Sequence, residues 1–149
     1  MLRESGRSGF TLLELAIVLA LITTLLGAGA IAFTRLLDRY AVRAARDALA
    51  AGFAHARAAA IAHGGASLVV DIPAARFRID AAGAPLAAPL DLRAQYRVTL
   101  SADGLPADSL AFHFDALGIG RMTGRTLRIR RGHAEAGLTV AAYGRIRRW

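Results

Sequence analysis

The spacing of apolar positions changes twice along this chain. From Leu15 to Phe33 run 19 residues without a charge, about the length of a helix that spans a bilayer core. From Thr34 to His63 the chain is alanine-rich and free of proline, and apolar residues recur at Leu36, Leu37, Tyr40, Ala44, Ala48, Phe53 and Ile61, near helical spacing. Arg35, Asp38, Arg39, Arg43, Arg46, Asp47 and Arg57 fall between them. Arg35 with Asp38 and Arg43 with Asp47 have helical pair spacing, worth only about 0.2 to 0.5 kcal/mol each. The pattern predicts one helix from about Phe10 to His63, on the order of 80 Å long at 1.5 Å per residue, stopped by Gly64-Gly65. The period then becomes two. SLVVDI (67–72), RFRID (76–80), YRVTLS (96–101), SLAFHFD (109–115), TLRIRRG (126–132) and GLTVAAYGRIRRW (137–149) read as short strands between turn signals such as Ala82-Gly83, Asp103-Gly104 and Gly118-Ile119-Gly120. The expected fold is α+β: a helix with a transmembrane half (10–33) and an amphipathic half (34–63), packed on an antiparallel sheet or small β-sandwich over residues 64–149.

Composition supports a membrane segment, since mean hydropathy is +0.40 with 55% apolar residues. A secretory signal would have a shorter apolar core followed by a small-residue cleavage site. Arg3 and Arg7 against Glu4 bias the N-terminus to the cytoplasm, so the expected topology is N-in, C-out. There is no cysteine, which excludes disulfides, a thiol nucleophile and a Cys-based zinc site.

Inside the apolar stretch stands one acid, Glu14. A charge at the centre of a membrane helix costs about 2.5 to 3.5 kcal/mol on insertion scales, so Glu14 is a functional candidate unless it snorkels to the interface. Its setting, GFTLLELAIVLAL (9–21) after a short basic leader, resembles the class III signal of type IV prepilins and type II secretion pseudopilins. The resemblance implies a leader peptide of residues 1–9. It also implies cleavage between Gly9 and Phe10 by a prepilin peptidase, and N-methylation of Phe10. The carboxylate of Glu14 would then pair with the terminal amine of a neighbouring subunit, costly alone and favourable in register. Major pilins often carry a proline midway along this helix. Here Gly27-Ala28-Gly29 stands instead and no proline precedes Pro73, which fits a minor pilin or pseudopilin better.

Catalytic chemistry finds little support. His55, His63, His113 and His133 lack partners at metal-ligand helical spacing. His113 and Asp115 alternate on one strand as a solvated face would, and GIGRMTG (118–124) lacks a phosphate-loop pattern. Ser101 and Ser109 belong to no nucleophilic arrangement. The sequence therefore predicts neither an enzyme nor a cofactor or metal site.

Charge is distributed unevenly. From Gly118 to Trp149 there are eight arginines (Arg121, Arg125, Arg128, Arg130, Arg131, Arg145, Arg147, Arg148) against Glu135, a balance of +7 out of the chain's +8. RTLRIRR (125–131) and GRIRRW (144–149) share an Arg-Ile-Arg core. In strands this would place Arg128 with Arg130, and Arg145 with Arg147, outward over Ile129 and Ile146, about 6.6 Å apart. Two such strands side by side would form a guanidinium plate suited to a phosphate backbone. The alternatives are a solvated face on an arginine-rich chain, or a patch that meets acidic neighbours. The signal, the long helix, the β-rich remainder and the closing GRIR resemble the GspH/FimT family of minor pseudopilins. FimT-type members of that family are linked to DNA uptake through a C-terminal Gly-Arg-x-Arg motif, matched here by Gly144, Arg145 and Arg147.

The expected function is a minor type IV pilin, in or at the tip of a pilus. Its arginine patch would bind double-stranded DNA without sequence preference during natural transformation. Its expected partners are the prepilin peptidase, other major and minor pilins or pseudopilins, and the bacterial inner membrane before assembly, with the C-terminal domain periplasmic. The alternatives are a type II secretion pseudopilin with a structural, assembly-priming role and no DNA binding, and a structural type IV pilus priming subunit whose basic patch has no nucleic-acid role.

Overall fold

The computed structural model describes residues 11–104 and 108–149; the expected leader of residues 1–9, the Gly9-Phe10 junction and residues 105–107 lie outside the described residues. The chain divides into two compact units, residues 1–34 and 35–149, and helix α1 (Leu12–His63) supplies residues to both.

In the first unit α1 stays helical through Gly27 and Gly29. Its described side chains are all exposed, Leu12 by 86% and Leu25 by 72%. Apolar surface of this extent, uncovered by the protein's own atoms, is what a lipid environment would cover, and the helix is long and apolar enough to cross a membrane.

The second unit packs Arg35–His63 of α1 with two antiparallel sheets. The first sheet holds β1 (Gly65–Asp71), β2 (Arg76–Ala81), the short β3 (Ala84–Pro85) and β4 (Leu90–Asp91), and β6 (Ser109–Asp115); β1 is central, between β2 and β6. The second runs in the order β5 (Thr99–Ala102), β7 (Arg125–Arg131), β8 (Ala134–Val140), β9 (Ile146–Arg148). Alternation of strand residues sends Leu68, Val70, Phe112, Phe114, Leu127, Ile129, Leu138 and Val140 into one core. The edge of Phe53 packs on Phe112 with ring centroids 4.9 Å apart. Gly64, at φ 77°, follows the last helical residue as the spacing predicted.

Several expectations are corrected. The buried stripe of α1 is Val42, Ala45, Leu49, Phe53, Ala56 and Ala60, whereas Leu36, Leu37, Tyr40, Ala44 and Ile61 are exposed. Small residues on this stripe let the helix approach the sheets closely: a Cβ on Gly52 would lie 2.5 Å from Phe77 Cε2. The pairs Arg35–Asp38 and Arg43–Asp47 do not form: Asp38 binds Arg131, and Asp47 binds Arg46 and Arg148. The expected strand from Tyr96 begins instead as a short helix, α2 (Leu92–Tyr96), capped by the Asp91 side chain accepting from the Ala94 N–H at 2.8 Å. The long C-terminal run splits into β8, a turn and β9.

Candidate functional site

At the N-terminal end, Gly9 and Phe10 lie outside the described residues. Glu14 is described. Its backbone N–H donates to Thr11 Oγ1 at 3.2 Å, while the Thr11 N–H donates to Glu14 Oε2 at 3.4 Å. This is a reciprocal capping box, with Thr11 preceding the first helical residue and Glu14 third in the helix. It satisfies two backbone donors that a helix start would otherwise leave unpaired. The Thr-x-x-Glu spacing is the sequence signal for this cap.

The C-terminal arginines divide into two groups. Arg128 binds Asp103 through both Nε (2.9 Å) and Nη2 (3.1 Å), and reaches Glu135 through Nη1 at 3.2 Å. Arg130 Nε donates to the other Glu135 oxygen at 2.6 Å. The Arg128 guanidinium holds the Asp103 carboxyl below its ordinary range, Arg130 does the same for Glu135, and Arg128 is itself raised by both acids. Arg131 pairs with Asp38 at 2.9 Å, Arg148 with Asp47 at 3.5 Å and Arg121 with Asp115 at 3.4 Å. Asp115 also accepts the N–H groups of Ile119 and Leu117, and these bonds, the Ile119 one foremost, lower its pKa. Among the described residues, Arg125, Arg145 and Arg147 have no carboxylate at ion-pair distance; Arg125 is half-buried beside Gly104.

The expected plate is therefore corrected. Strand β8 lies between β7 and β9, about 10 Å across two strand spacings. Arg145 precedes β9 instead of standing in it. The register places Arg147 opposite Thr139 and Thr139 opposite Thr126, on the face that carries Arg128 and Arg130. On that face the ring of Trp149 covers Gly137, and the Arg128 guanidinium carbon lies 5.6 Å from the ring centroid. Arg128 and Arg130 thus share a face with Arg147, but their charge is already answered. Ile146 turns inward opposite Val140, as expected.

The Arg145–Arg147 end is shaped by the turn before it. The Gly144 N–H donates to Ala141 O at 2.8 Å and the Ala141 N–H to Arg145 O at 2.8 Å, closing a tight turn. Gly144 is buried at φ 80°, and a Cβ there would lie 2.9 Å from Phe114 Cε1. Facing it is Gly120, whose own Cβ would lie 2.7 Å from the Gly144 nitrogen. Arg57 braces the same place, donating from Nε to Gly118 O at 2.9 Å with its guanidinium 5.9 Å from the Phe114 centroid. Arg57 was missed in the sequence because its contacts are 61 residues away. The result is a cleft of about 470 Å³ lined by Thr139, Ala141, Arg145, Ile146 and Arg147. Two unpaired guanidiniums on one concave edge can hold phosphate oxygens. No group of three or more His, Asp or Glu side chains placed to hold a metal occurs among the described residues.

Comparison with known proteins bears on the N-terminal signal and on the fold. Residues 5–30 match the family model of the prokaryotic N-terminal methylation motif. The fold is similar to the crystal structure of the type IV minor pilin FimU of Pseudomonas aeruginosa strain PAO1. The TM-score is 0.57 and the identity 23%, over 74% of this chain and 90% of that one. Curated protein sequences give no significant match. The chain carries a prepilin-type methylation motif on a type IV pilin fold.

Proposed function

We propose that this protein, with its methylation motif and type IV pilin fold, is a minor pilin whose Arg145–Arg147 edge binds the DNA backbone for uptake. The motif implies removal of the leader after Gly9, methylation of Phe10 and residence in the inner membrane with residues 35–149 periplasmic, followed by incorporation beside other pilins. The GspH/FimT resemblance supports this reading through Gly144-Arg145-Ile146-Arg147. The protein acts by binding and assembly, without catalytic chemistry or a cofactor of its own.

One observation carries the DNA reading: the two motif arginines line a single cleft without a carboxylate partner among the described residues, while five neighbouring arginines are ion-paired. The test is fluorescence anisotropy of a labelled duplex with full-length protein in detergent, across a salt series. Nonspecific binding of micromolar or weaker affinity is expected, falling with salt at about 0.9 per phosphate contacted. Arg145→Gln with Arg147→Gln should weaken binding and reduce the slope by roughly two units. Parent-like binding and transformation by this variant would remove the DNA role and leave a structural pilin or a type II secretion pseudopilin.

A further inference from the structure

Tyr143 is unaccounted for by phosphate binding. It is 77% exposed, directly before Gly144-Arg145, at the corner of a turn fixed from two sides. Its carbonyl accepts the Gly120 N–H at 3.3 Å, and the next residue is packed against Phe114. Its backbone is therefore held while its ring stands in solvent. The ring does not stand singly: exposed Leu117 and Ile119 line a pocket with it, and a contiguous apolar patch of this kind marks a binding surface. Behind the ring a groove of about 420 Å³ runs between α1 and the C-terminal segment. Its floor is apolar, from Ala50, Phe53, Phe114 and Ile146, and Arg145 stands on its rim as well as on that of the neighbouring phosphate cleft.

The arrangement places an aromatic ring and two unpaired cations within five consecutive residues, beside an apolar groove. An interior base of a duplex cannot reach such a ring, because both of its faces are stacked. A base in a single strand presents a free π-face, and base–aromatic stacking is indifferent to sequence. Resting on the DNA reading above, we propose that Tyr143 is a stacking platform, so that the C-terminal edge prefers single-stranded DNA: a base on Tyr143, with its flanking phosphates on Arg145 and Arg147. The charge complementarity of the unpaired arginines selects a polyanion, and the ring selects one with open bases.

The experiment compares a labelled oligo(dT) with a blunt duplex of equal length, using full-length protein in detergent. The parent should bind oligo(dT) more tightly. Tyr143→Ala, at an exposed position where folding is checked by circular dichroism, should weaken oligo(dT) binding about fivefold or more. Duplex binding should stay within twofold and both salt slopes unchanged, since no charge is removed. Tyr143→Phe, which keeps the π-face, should bind like the parent. If Tyr143→Ala binds oligo(dT) at parental strength, or loses both ligands equally, stacking is overturned while the arginine reading stands. If the Arg145→Gln, Arg147→Gln variant binds both ligands like the parent, the DNA reading itself fails and this inference with it.

Discussion

Two Arg-Ile-Arg segments of one sheet behave oppositely. Arg128-Ile129-Arg130 lies in β7, an interior strand, where the antiparallel register sets Arg130 opposite Glu135 and the chain brings Asp103 alongside Arg128. Arg145-Ile146-Arg147 enters the edge strand β9 from a turn, and the register sets Arg147 opposite Thr139. The isoleucine packs inward in both. Cationic character is therefore set by what the sheet places across from each arginine, and a balance counted along the chain does not report it. The +7 counted after Leu117 omitted Asp38, Asp47, Asp103 and Asp115, all of which fold back onto that region.

The largest expected effect breaks the Arg145–Arg147 side by altering its turn alone. Gly144→Ala puts a Cβ 2.9 Å from Phe114 at a φ of 80°. A non-glycine residue held in that region costs on the order of 1 to 3 kcal/mol. Thermal unfolding should shift down, and duplex binding should fall although both arginines remain. Unchanged affinity would show that the arginines work without the turn.

The next effect converts the silent segment into an active one. Asp103→Asn with Glu135→Gln removes both acids that answer Arg128 and Arg130, without changing side-chain size. Duplex affinity at low salt should rise severalfold and the salt slope should steepen by up to two units, about 0.9 for each guanidinium that gains a phosphate. In the Arg145→Gln, Arg147→Gln background the same change should restore part of the lost binding. No gain in either background would show that the face around Trp149 does not meet DNA.

The same contrast explains what the sequence made legible. Periodicity located α1 and its end at His63, and period-two runs located β1, β2, β6 and β7 to within two residues at either end. The Gly-Phe-Thr-Leu-Leu-Glu signal pointed to the prokaryotic N-terminal methylation motif, which residues 5–30 match, on local residues alone. Features resting on distant partners were not legible. Nothing near Arg128 announces Asp103, 25 residues earlier, and nothing near Arg57 announces Gly118. The buried face of α1 was not legible because alanines lie both on the packed side, at Ala45, Ala56 and Ala60, and on the exposed side, at Ala44. The separation of the two Arg-Ile-Arg segments followed from strand order, which periodicity does not encode.

The smallest expected effect removes the neutralised pair. Arg128→Gln with Arg130→Gln takes away as many charges as the Arg145–Arg147 variant. Those charges are balanced by Asp103 and Glu135 at 2.6 to 3.2 Å, so the two arginines add little net positive potential for a phosphate to meet. At physiological salt, where charges beyond about 8 Å are screened, duplex affinity should stay within twofold and the salt slope should barely move. The pairs should instead show in the acid limb of stability. Asp103 and Glu135 are held below their ordinary values of 3.8 and 4.5, by Arg128 and Arg130 respectively. Their contribution to folding is present above those values and is lost as pH falls through the lowered ones. Melting curves should therefore separate parent from variant modestly at pH 6, and the gap should close as both acids protonate below pH 3.8. A gap that persists unchanged into that range would mean that the arginines stabilise β7 by packing on Trp149 and not through their acids.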